Sequence, residues 1–493
     1  MPEAEDAAEL KQQARDALAR AGERAASLAA TVEAAGVFAQ AAELADDPLE
    51  EARLRDRAGR SAYSGGDMEA ARREFQRAQE LYTAAGATRE AALVQAMLGN
   101  TEWQLHESEP ALERLKGAYA VLVEGEPDEG FAAVAAELAR AHFFMGDFEA
   151  AQRTVDAALE AAERLWLPET LSQGLNTAGL VAAGRGGWEQ GYALIHRSLE
   201  IALENDLTQA ALRAYNNLGD MLDRRDRCEE AIEVHEAGIA LARKVGARAS
   251  EWRLLGEMAF MFLWLGRYDE ARAALEQVPE HGLGLGSSYA LPIVLATIEG
   301  DVAEARRLAD ATDIGKTDDA DEQDRIGALT LEAMVCNAEG DHEHALEAAM
   351  ECVEVRLTST SKLGWEEALM AAHALGRDEF VRDLTGRIEK MPPGLLPPTL
   401  RAHGLRFRAL LGDDPDQRFR AAAAAFREYG MVLPAAKVQT EHAEWLLGER
   451  RDGEAEALLA EAREVFERLR ARPWLERVDA ILPRVATMAA EAQ

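Results

Sequence analysis

Hydrophobic residues recur at helical spacing along most of the chain, and the pattern is clearest over residues 211–245. Leu218 and Gly219 lie on one face of a first amphipathic stretch. Ala231 and Gly238 share a face of a second stretch that follows a short polar turn. Spacings of three, four and seven positions return side chains to one side of an α-helix. The segment therefore predicts a hairpin of two helices, with small residues where the helices approach closely.

The same hairpin pattern repeats at a fixed interval. In one hairpin, Gly59 of the first helix is followed by the small Ala71 and the large Phe75 of the second, and later hairpins keep these offsets. A constant step separates the first-helix residues of the regular hairpins, which are Gly59, Gly99, Ala139, Gly179, Gly219 and Ala259. One such hairpin cannot bury its apolar face alone, so the run predicts a stacked array.

This spacing resembles the tetratricopeptide repeat (TPR), in which Gly and Ala at fixed offsets let two helices pack closely. Turns of the form Gly-Asp-x-Glu recur at positions 66–69 and 146–149. The step of about 40 residues exceeds the usual TPR period of about 34 residues and approaches the HEAT range, so HEAT is the structural rival. We prefer TPR because the turns and offsets recur, and expect the extra residues to lengthen helices or inter-repeat turns. The resemblance implies an all-α fold, a right-handed α-solenoid of about 11–12 TPR-like hairpins with a period near 40.

The regular ladder does not extend over the whole chain. A glycine-rich break at 277–286, an acidic loop at 312–324 and a proline-rich break at 391–398 interrupt it, and a capping helix is expected from about Trp474. The predicted division is a regular solenoid over residues 1–280, irregular TPR-like repeats over 281–390, and a C-terminal TPR-like block with the capping helix over 391–493.

Composition narrows the classes of partner. A formal net charge of −35 over 493 residues disfavours nonspecific binding to nucleic acid or to anionic membranes. No apolar run approaches the length of a membrane-spanning helix, and the acidic N-terminus lacks the apolar core of a signal peptide. Three cysteines do not suggest a disulfide framework, which fits a reducing compartment. We therefore expect a cytoplasmic protein that binds neither nucleic acid nor membrane.

Two short segments imitate nucleotide-binding motifs. Asp310–Thr317 resembles the end of a P-loop, but Asp310 replaces the leading glycine and acidic residues follow where phosphate would bind. Gly282–Gly286 lacks both the preceding strand and the spacing of a dinucleotide fingerprint. We interpret both segments as loops and predict no cofactor.

Four residues have donor types that suit zinc: Cys336, His342, His344 and Cys352. On the TPR register the two cysteines take inward positions and the two histidines lie at a turn, so the four should point different ways. No zinc-protease, nucleophile-elbow or Cys-x-x-Cys motif occurs. We predict no metal site and no enzyme activity.

Residues 17–60 and 441–477 resemble the start and the close of one larger bacterial family's TPR region. That region belongs to the STAND ATPase-coupled class III nucleotide cyclases and the transcriptional activators similar to the maltose regulator. In that family the TPR array follows a P-loop ATPase and senses a ligand or protein. The resemblance implies binding and regulation rather than catalysis. The sequence contains no catalytic module and no C-terminal helix-turn-helix, so we expect a stand-alone relative or a fragment.

In the TPR pattern the first helices line a concave groove, through positions six and three before, and one and four after, the central small residue. These positions carry arginine, amide and aromatic side chains, which suit carboxylates, peptide backbones and apolar side chains respectively. The candidate groove residues are Arg53, Arg60, Asn100, Trp103, Arg140, Phe143, Asn176, Arg213, Asn216, Asp220, Arg253 and Phe260.

These patterns favour a non-enzymatic TPR scaffold or sensor that binds a protein, peptide or regulatory ligand in its groove and acts in bacterial signal transduction. The alternative is the sensor part, or a stand-alone relative, of a STAND ATPase, nucleotide cyclase or transcription activator that responds to a small molecule. Exposed apolar groove surface would also permit self-association.

Overall fold

The computed structural model describes residues 2–28, 30–279, 282, 289–312, 322–355 and 361–491, and these form α-helices and turns without any β-strand. The helices are α1 Pro2–Ser27, α2 Thr31–Glu43, α3 Pro48–Ser64, α4 Met68–Ala84, α5 Thr88–Gln104, α6 Ser108–Leu122, α7 Glu129–Phe144, α8 Phe148–Leu165, α9 Pro168–Gly184, α10 Trp188–Glu204, α11 Thr208–Arg224, α12 Cys228–Val245, α13 Arg248–Trp264, α14 Tyr268–Leu275, α15 Ala290–Glu299, α16 Val302–Ala311, α17 Glu322–Glu339, α18 His342–Glu354, α19 Ser361–Ala374, α20 Asp378–Lys390, α21 Pro398–Leu410, α22 Pro415–Glu428, α23 Val432–Gly448, α24 Asp452–Arg468 and α25 Arg472–Glu491.

Consecutive helices pair as hairpins, each with an odd-numbered first helix and an even-numbered second helix. Helix α25 follows the last hairpin, where the sequence predicts a capping helix. The fold is therefore an α-solenoid of TPR-like hairpins, as predicted. Part of the predicted glycine-rich break, at 280–281 and 283–286, and most of the predicted acidic loop, at 313–321, lie outside the described residues.

Long helices and short turns produce the constant step between repeats. Helices α3, α4, α5, α9, α10, α11 and α13 each contain 17 residues. Three residues separate α3 from α4, and three more separate α4 from α5. Two helices and two turns of these lengths complete one repeat. The extra residues relative to a usual TPR thus lengthen the helices, which is one of the two predicted possibilities.

The Gly-Asp turns have a simple chemical basis. Gly66 and Gly146 adopt φ angles of +83° and +77°, a left-handed conformation that glycine tolerates because it has no Cβ. The next residue, Asp67 or Asp147, caps the second helix, and its carboxylate accepts a hydrogen bond from the third backbone N–H beyond it. Asp226 takes the equivalent left-handed position in the α11–α12 turn, with φ of +60°.

The predicted ladder of small and large residues is confirmed at the seam between paired helices. A Cβ built on Gly59 would lie 2.6 Å from Cδ1 of Phe75, so the aromatic ring occupies the space that a side chain would need. Gly179 is opposed in the same way by Ile195, at 2.5 Å from Cγ1. The ring of Phe75 is fully buried.

The chain divides into two compact units, residues 1–210 and residues 211–493. We call them unit 1 and unit 2. The three-part division made from the sequence stays a prediction.

Unit 2 contains contacts between hairpins that are far apart in the sequence. Gly266, in the α13–α14 turn, lies so close to Val432 that a Cβ there would be 2.3 Å from its Cγ2 atom. The Nε atom of Arg472 donates a hydrogen bond to the carbonyl oxygen of Glu299 at 3.0 Å. Early and late hairpins of this unit therefore support one another directly.

We predict that His235→Leu stabilises the protein and makes its stability less dependent on pH. His235 opposes Gly219 at the position that carries Phe75 and Ile195 in other hairpins; it is 1% exposed, and its Nδ1 atom has no hydrogen-bond partner among the described residues. Burial lowers its pKa to about 4. The unfolded chain, with an ordinary histidine pKa of about 6.5, therefore binds more protons between about pH 6.5 and 4.

The wild-type protein should accordingly lose stability as the pH falls through that window. The measurement is the urea midpoint at pH 7.5, 6 and 5, with His196→Leu, an exposed histidine of α10, as the control. Leucine should gain about 1 kcal/mol at pH 7.5, and more at pH 5, because it removes an unsatisfied buried nitrogen. Equal pH slopes for wild type and His235→Leu would contradict the assignment.

Candidate functional site

The predicted groove residues all lie on first helices, and they differ widely in burial. We call the surface formed by these positions the first-helix face. Among the twelve, the exposed residues are Arg53, Arg60 and Arg253; the half-buried ones are Asn100, Trp103, Arg140, Arg213, Asn216 and Asp220; and the buried ones are Phe143, Asn176 and Phe260.

In unit 1 two of the predicted residues come together across neighbouring hairpins. The guanidinium carbon of Arg140, on α7, lies 5.5 Å from the ring centroid of Trp103, on α5. The Trp103 ring also packs against Phe144, with 5.8 Å between ring centroids. Arg140 pairs with Glu137 on its own helix, with an Nη2–Oε2 distance of 2.8 Å. We call Tyr63, Trp103, Glu137, Arg140 and Phe144 the Trp103 cluster.

Tyr63 extends this cluster to a third hairpin. Burial, and then the nearby carboxylate of Glu137, raise the pKa of the Tyr63 hydroxyl, while Arg140 acts in the opposite direction. Phe144 is 52% exposed, which is unusual for a large apolar ring. The cluster therefore presents an aromatic surface, a fixed guanidinium and a phenol side by side.

Phe143 also contacts the Trp103 cluster, with 5.3 Å between its ring centroid and that of Phe144, whereas Arg60 and Asp220 pair within their own helices. Arg60 is held by Asp56 on its own helix, with an Nε–Oδ1 distance of 2.9 Å. Asp220 pairs with Arg224 at 2.7 Å, again within one helix. The Oδ1 atom of Asn100 is buried and has no hydrogen-bond partner among the described residues. The full groove assignment remains a prediction.

Unit 2 contains a set of buried and partly buried ionisable side chains that the sequence analysis missed. They lie on first helices α19, α21 and α23, and we call them the polar core: Glu366, Glu367, His403, Arg406, Lys437 and Glu441. Arg406 and Glu441 form a bidentate pair, with N–O distances of 2.7 and 2.6 Å. Their side chains are only 3% and 5% exposed. A charge-assisted pair of this geometry is strong because its donor and acceptor directions match.

Glu366 lies at the centre of the polar core. Its carboxylate oxygens are 3.3 Å from Nε2 of His403, 3.6 Å from Nη1 of Arg406 and 3.7 Å from Nζ of Lys437. Burial alone would raise the pKa of Glu366, but these three groups together lower it. Burial, reinforced by the charge of Glu366, raises the pKa of the adjacent Glu367. Glu366 is therefore the charged member of this neighbouring pair.

Three atoms of the polar core are buried without a hydrogen-bond partner among the described residues: Oε1 of Glu366, Nδ1 of His403 and Nη1 of Arg406. Burial lowers the pKa of His403 to about 4, so its ring is neutral at pH 7. Oε1 of Glu366 and Nη1 of Arg406 lie 3.6 Å apart, an ion pair that is too long for a hydrogen bond. The neutral imidazole nitrogen of His403 is also unpaired, in a buried setting where unsatisfied polar groups are costly.

A second buried ionic contact joins distant hairpins of unit 2. The ammonium group of Lys362, on α19, lies 3.0 Å from Oδ1 of Asp226 and 3.1 Å from Oδ1 of Asp223. The other oxygen of Asp226 accepts hydrogen bonds from the backbone N–H and the hydroxyl of Thr399, both at 2.8 Å. Burial opposes the charge on Lys362, yet the two aspartates raise its pKa. We call this contact the Lys362 latch.

The four residues with zinc-donor side chains have separate partners. Sγ of Cys336 contacts Arg306 and Glu332, and Sγ of Cys352 lies 3.4 Å from the hydroxyl of Thr330. His342 bonds Asn337 and His344 bonds Asp341, through Nδ1 in each case. Within the described part of the chain, no three His, Cys, Asp or Glu residues are grouped to hold a metal ion. Nor does any helix there have the length and apolar character to cross a bilayer.

No protein-family model and no curated protein matches the chain. Among solved structures, it is similar to BtubC from P. vanneervenii, with 17% identity, a TM-score of 0.33, and coverage of 48% of this chain and 91% of that one. It is also similar to a Rap protein complexed with competence and sporulation factor, with 13% identity and a TM-score of 0.39. That match covers 90% of this chain and 100% of the Rap protein. A third similar structure is the Rap conjugation gene regulator of the plasmid pLS20 in complex with the Phr* peptide, with 15% identity and a TM-score of 0.41. That match covers 61% of this chain and 77% of the regulator. Each TM-score is below 0.5, so the fold assignment rests on the helices of this chain.

We predict that Arg406→Met is far more destabilising than Arg477→Met. Both arginines form bidentate pairs with a glutamate of α23, at the same N–O distances of 2.7 and 2.6 Å. The Arg477–Glu444 side chains are 42% and 34% exposed, so water compensates for the lost partner. Loss of Arg406 leaves Glu441 charged and buried, which should cost about 3–5 kcal/mol, against about 1 kcal/mol or less for Arg477. Chemical unfolding followed by circular dichroism measures both; similar costs would show that the polar core is hydrated.

Proposed function

We propose that the chain is a non-enzymatic regulatory scaffold that binds a peptide or protein segment on the first-helix face of unit 1. The observation that carries this proposal is the Trp103 cluster, which combines side chains from three successive hairpins. Ligand contacts shared among several repeats are the usual way in which stacked-hairpin proteins read an extended partner.

The cluster has the chemistry of a peptide anchor. The exposed ring of Phe144 beside Trp103 supplies apolar area, and aromatic residues are enriched where binding energy concentrates. Arg140 is fixed over the Trp103 ring and can offer its remaining donors to a carboxylate or a backbone carbonyl. We infer a ligand with an apolar or aromatic side chain next to an acidic group.

The proposal also includes a cellular compartment and a role in signalling. The three cysteines are free, buried thiols, which fits the cytoplasm of a bacterium. In that compartment we assign the protein to signal transduction, in which the bound segment either regulates this protein or belongs to a protein that it regulates.

A second function is favoured by one specific observation, the unpartnered buried atoms of the polar core. Those atoms would suit a small polar molecule, as expected of a sensor related to STAND ATPases, nucleotide cyclases or transcription activators. A small molecule that copurifies with the protein, is identified by mass spectrometry and is lost in His403→Phe would favour this second function.

The test of peptide binding uses a displayed library of random peptides and the full chain as bait. Affinities of enriched peptides are then measured for wild type, Trp103→Ala and Trp166→Ala. Trp166 is the matched control, because it is 70% exposed and lies in the α8–α9 turn, away from the first-helix face. Trp103→Ala should weaken binding about tenfold or more, as loss of an aromatic anchor does, and Trp166→Ala should not.

Melting curves accompany the affinities, because Trp103 is half-buried and its loss will cost some stability. Enriched peptides that bind both variants as tightly as wild type would place the site elsewhere. Absence of any enrichment would contradict peptide binding itself.

A further inference from the structure

A crevice in unit 2 lies where the α13–α14 turn meets the α24–α25 turn. Its volume is about 180 Å³, and the residues that form it come from two segments, 266–272 and 468–470. Leu469 is almost fully buried and packs close to Gly266, which joins the two segments. The crevice shares no residue with the polar core, the Lys362 latch or the Trp103 cluster.

One wall of the crevice is the N-terminus of α14. The N-cap residue is Arg267, and no side chain caps this helix end. The backbone N–H groups of the first helical turn have no partner within their own helix, and the partial positive charge of a helix N-terminus favours an anion. Asp67 and Asp147 fill this role with a carboxylate in α4 and α8, whereas α14, like α12, α20 and α24, has an arginine at the N-cap and no side-chain cap.

Tyr268, the first residue of α14, provides independent support. It lines the crevice, it is 6% exposed, and its hydroxyl is buried without a hydrogen-bond partner among the described residues. A buried hydroxyl without a partner is unfavourable, so a site that supplies an acceptor there would stabilise it. Burial raises the pKa of this hydroxyl, which keeps it a neutral donor.

Two arginines in the opposite wall, Arg468 and Arg470, have no ion-pair partner among the described residues. Arg267 is bound to Glu270 and Glu229, and Arg272 is bound to Glu299, so these two contribute little free charge. The side chains of Arg468 and Arg470 also line the crevice and form no hydrogen bond or ion pair with any described residue. Asp269 is the opposing charge, and its side chain is 93% exposed.

We propose that this crevice binds a small oxyanion of the phosphate class, held by Arg468, Arg470, the hydroxyl of Tyr268 and the N-terminus of α14. Guanidinium groups and helix N-termini both bind phosphate oxygens, through matched N–H donors and through free backbone N–H groups respectively. The anion is either inorganic phosphate or the phosphoryl group of a small phosphomonoester. Because the two walls belong to hairpins that are widely separated in the sequence, the bound anion also ties the early part of unit 2 to its end.

The test is isothermal titration of the full chain with sodium phosphate and, separately, with glycerol phosphate, at constant ionic strength set with chloride. Saturable binding of one ion per chain is expected. Arg468→Gln and Tyr268→Phe should each weaken it, by about tenfold and about threefold respectively. Asp269→Asn should tighten it, because it removes the nearby negative charge.

Arg450→Gln is the matched control. Arg450 is an exposed arginine in the preceding α23–α24 turn, and its φ of +59° is close to the +54° of Arg470. This variant should bind phosphate like wild type. Tyr268→Phe has a second readout: without phosphate it should melt at the same temperature as wild type or higher, because it removes an unpartnered hydroxyl.

Each outcome decides the proposal. Binding of phosphate alone identifies the free ion, and equal or tighter binding of glycerol phosphate identifies the phosphoryl group of a larger metabolite; both support the site. No saturable binding of either probe overturns it. Binding that is unchanged in an Arg468→Gln/Arg470→Gln variant, or equally reduced in Arg450→Gln, overturns it as well.

Discussion

Close approach of the two helices in the regular hairpins depends on one steric arrangement, a residue without a large side chain opposed by a large one. At the seam of α3 and α4 the Phe75 ring fills the space above Gly59, and Ile195 does the same above Gly179. Dense packing of this kind tolerates little change in volume. Since the opposed residues belong to the two helices of one hairpin, the arrangement repeats wherever the helix and turn lengths repeat.

Such local contacts explain why much of the fold can be predicted from the sequence. The spacing of Gly59 and Gly99 equals the combined length of two helices and two turns. Those lengths are determined by residues that are close in the sequence, so they can be predicted from it. Arg406 and Lys362 show the limit of that reasoning. Their helices carry several other charged residues, so nothing in the sequence singles out either one. The partner of Arg406 lies on the next hairpin and that of Lys362 on a distant one, and both are set by how hairpins pack. The same limit applies to the groove, where periodicity selects Asn176 and Phe260 by face and says nothing about their burial.

The two units differ in how far apart in the sequence their ionic contacts lie. In unit 1 the described ionic contacts join residues of the same hairpin or of neighbouring hairpins, as in a repeat protein whose stability builds up from nearest neighbours. Unit 2 adds contacts such as that of Lys362 with Asp226, whose loss would be felt in hairpins far apart in sequence. Removing one partner of a buried pair is costly because the other charge stays buried. We expect unit 2 to unfold more cooperatively than unit 1.

The Lys362 latch also has a consequence during synthesis on the ribosome. Asp226 is separated by 136 residues from Lys362 and by 173 residues from Thr399, so its final partners emerge long after it does. At roughly 5–20 residues per second, that delay is on the order of 7–35 s. Through that interval the nascent α11–α12 hairpin carries an aspartate that must remain hydrated, and unit 2 cannot close. Unit 1, whose described ionic contacts are local in the chain, has already left the ribosome and can fold in the meantime.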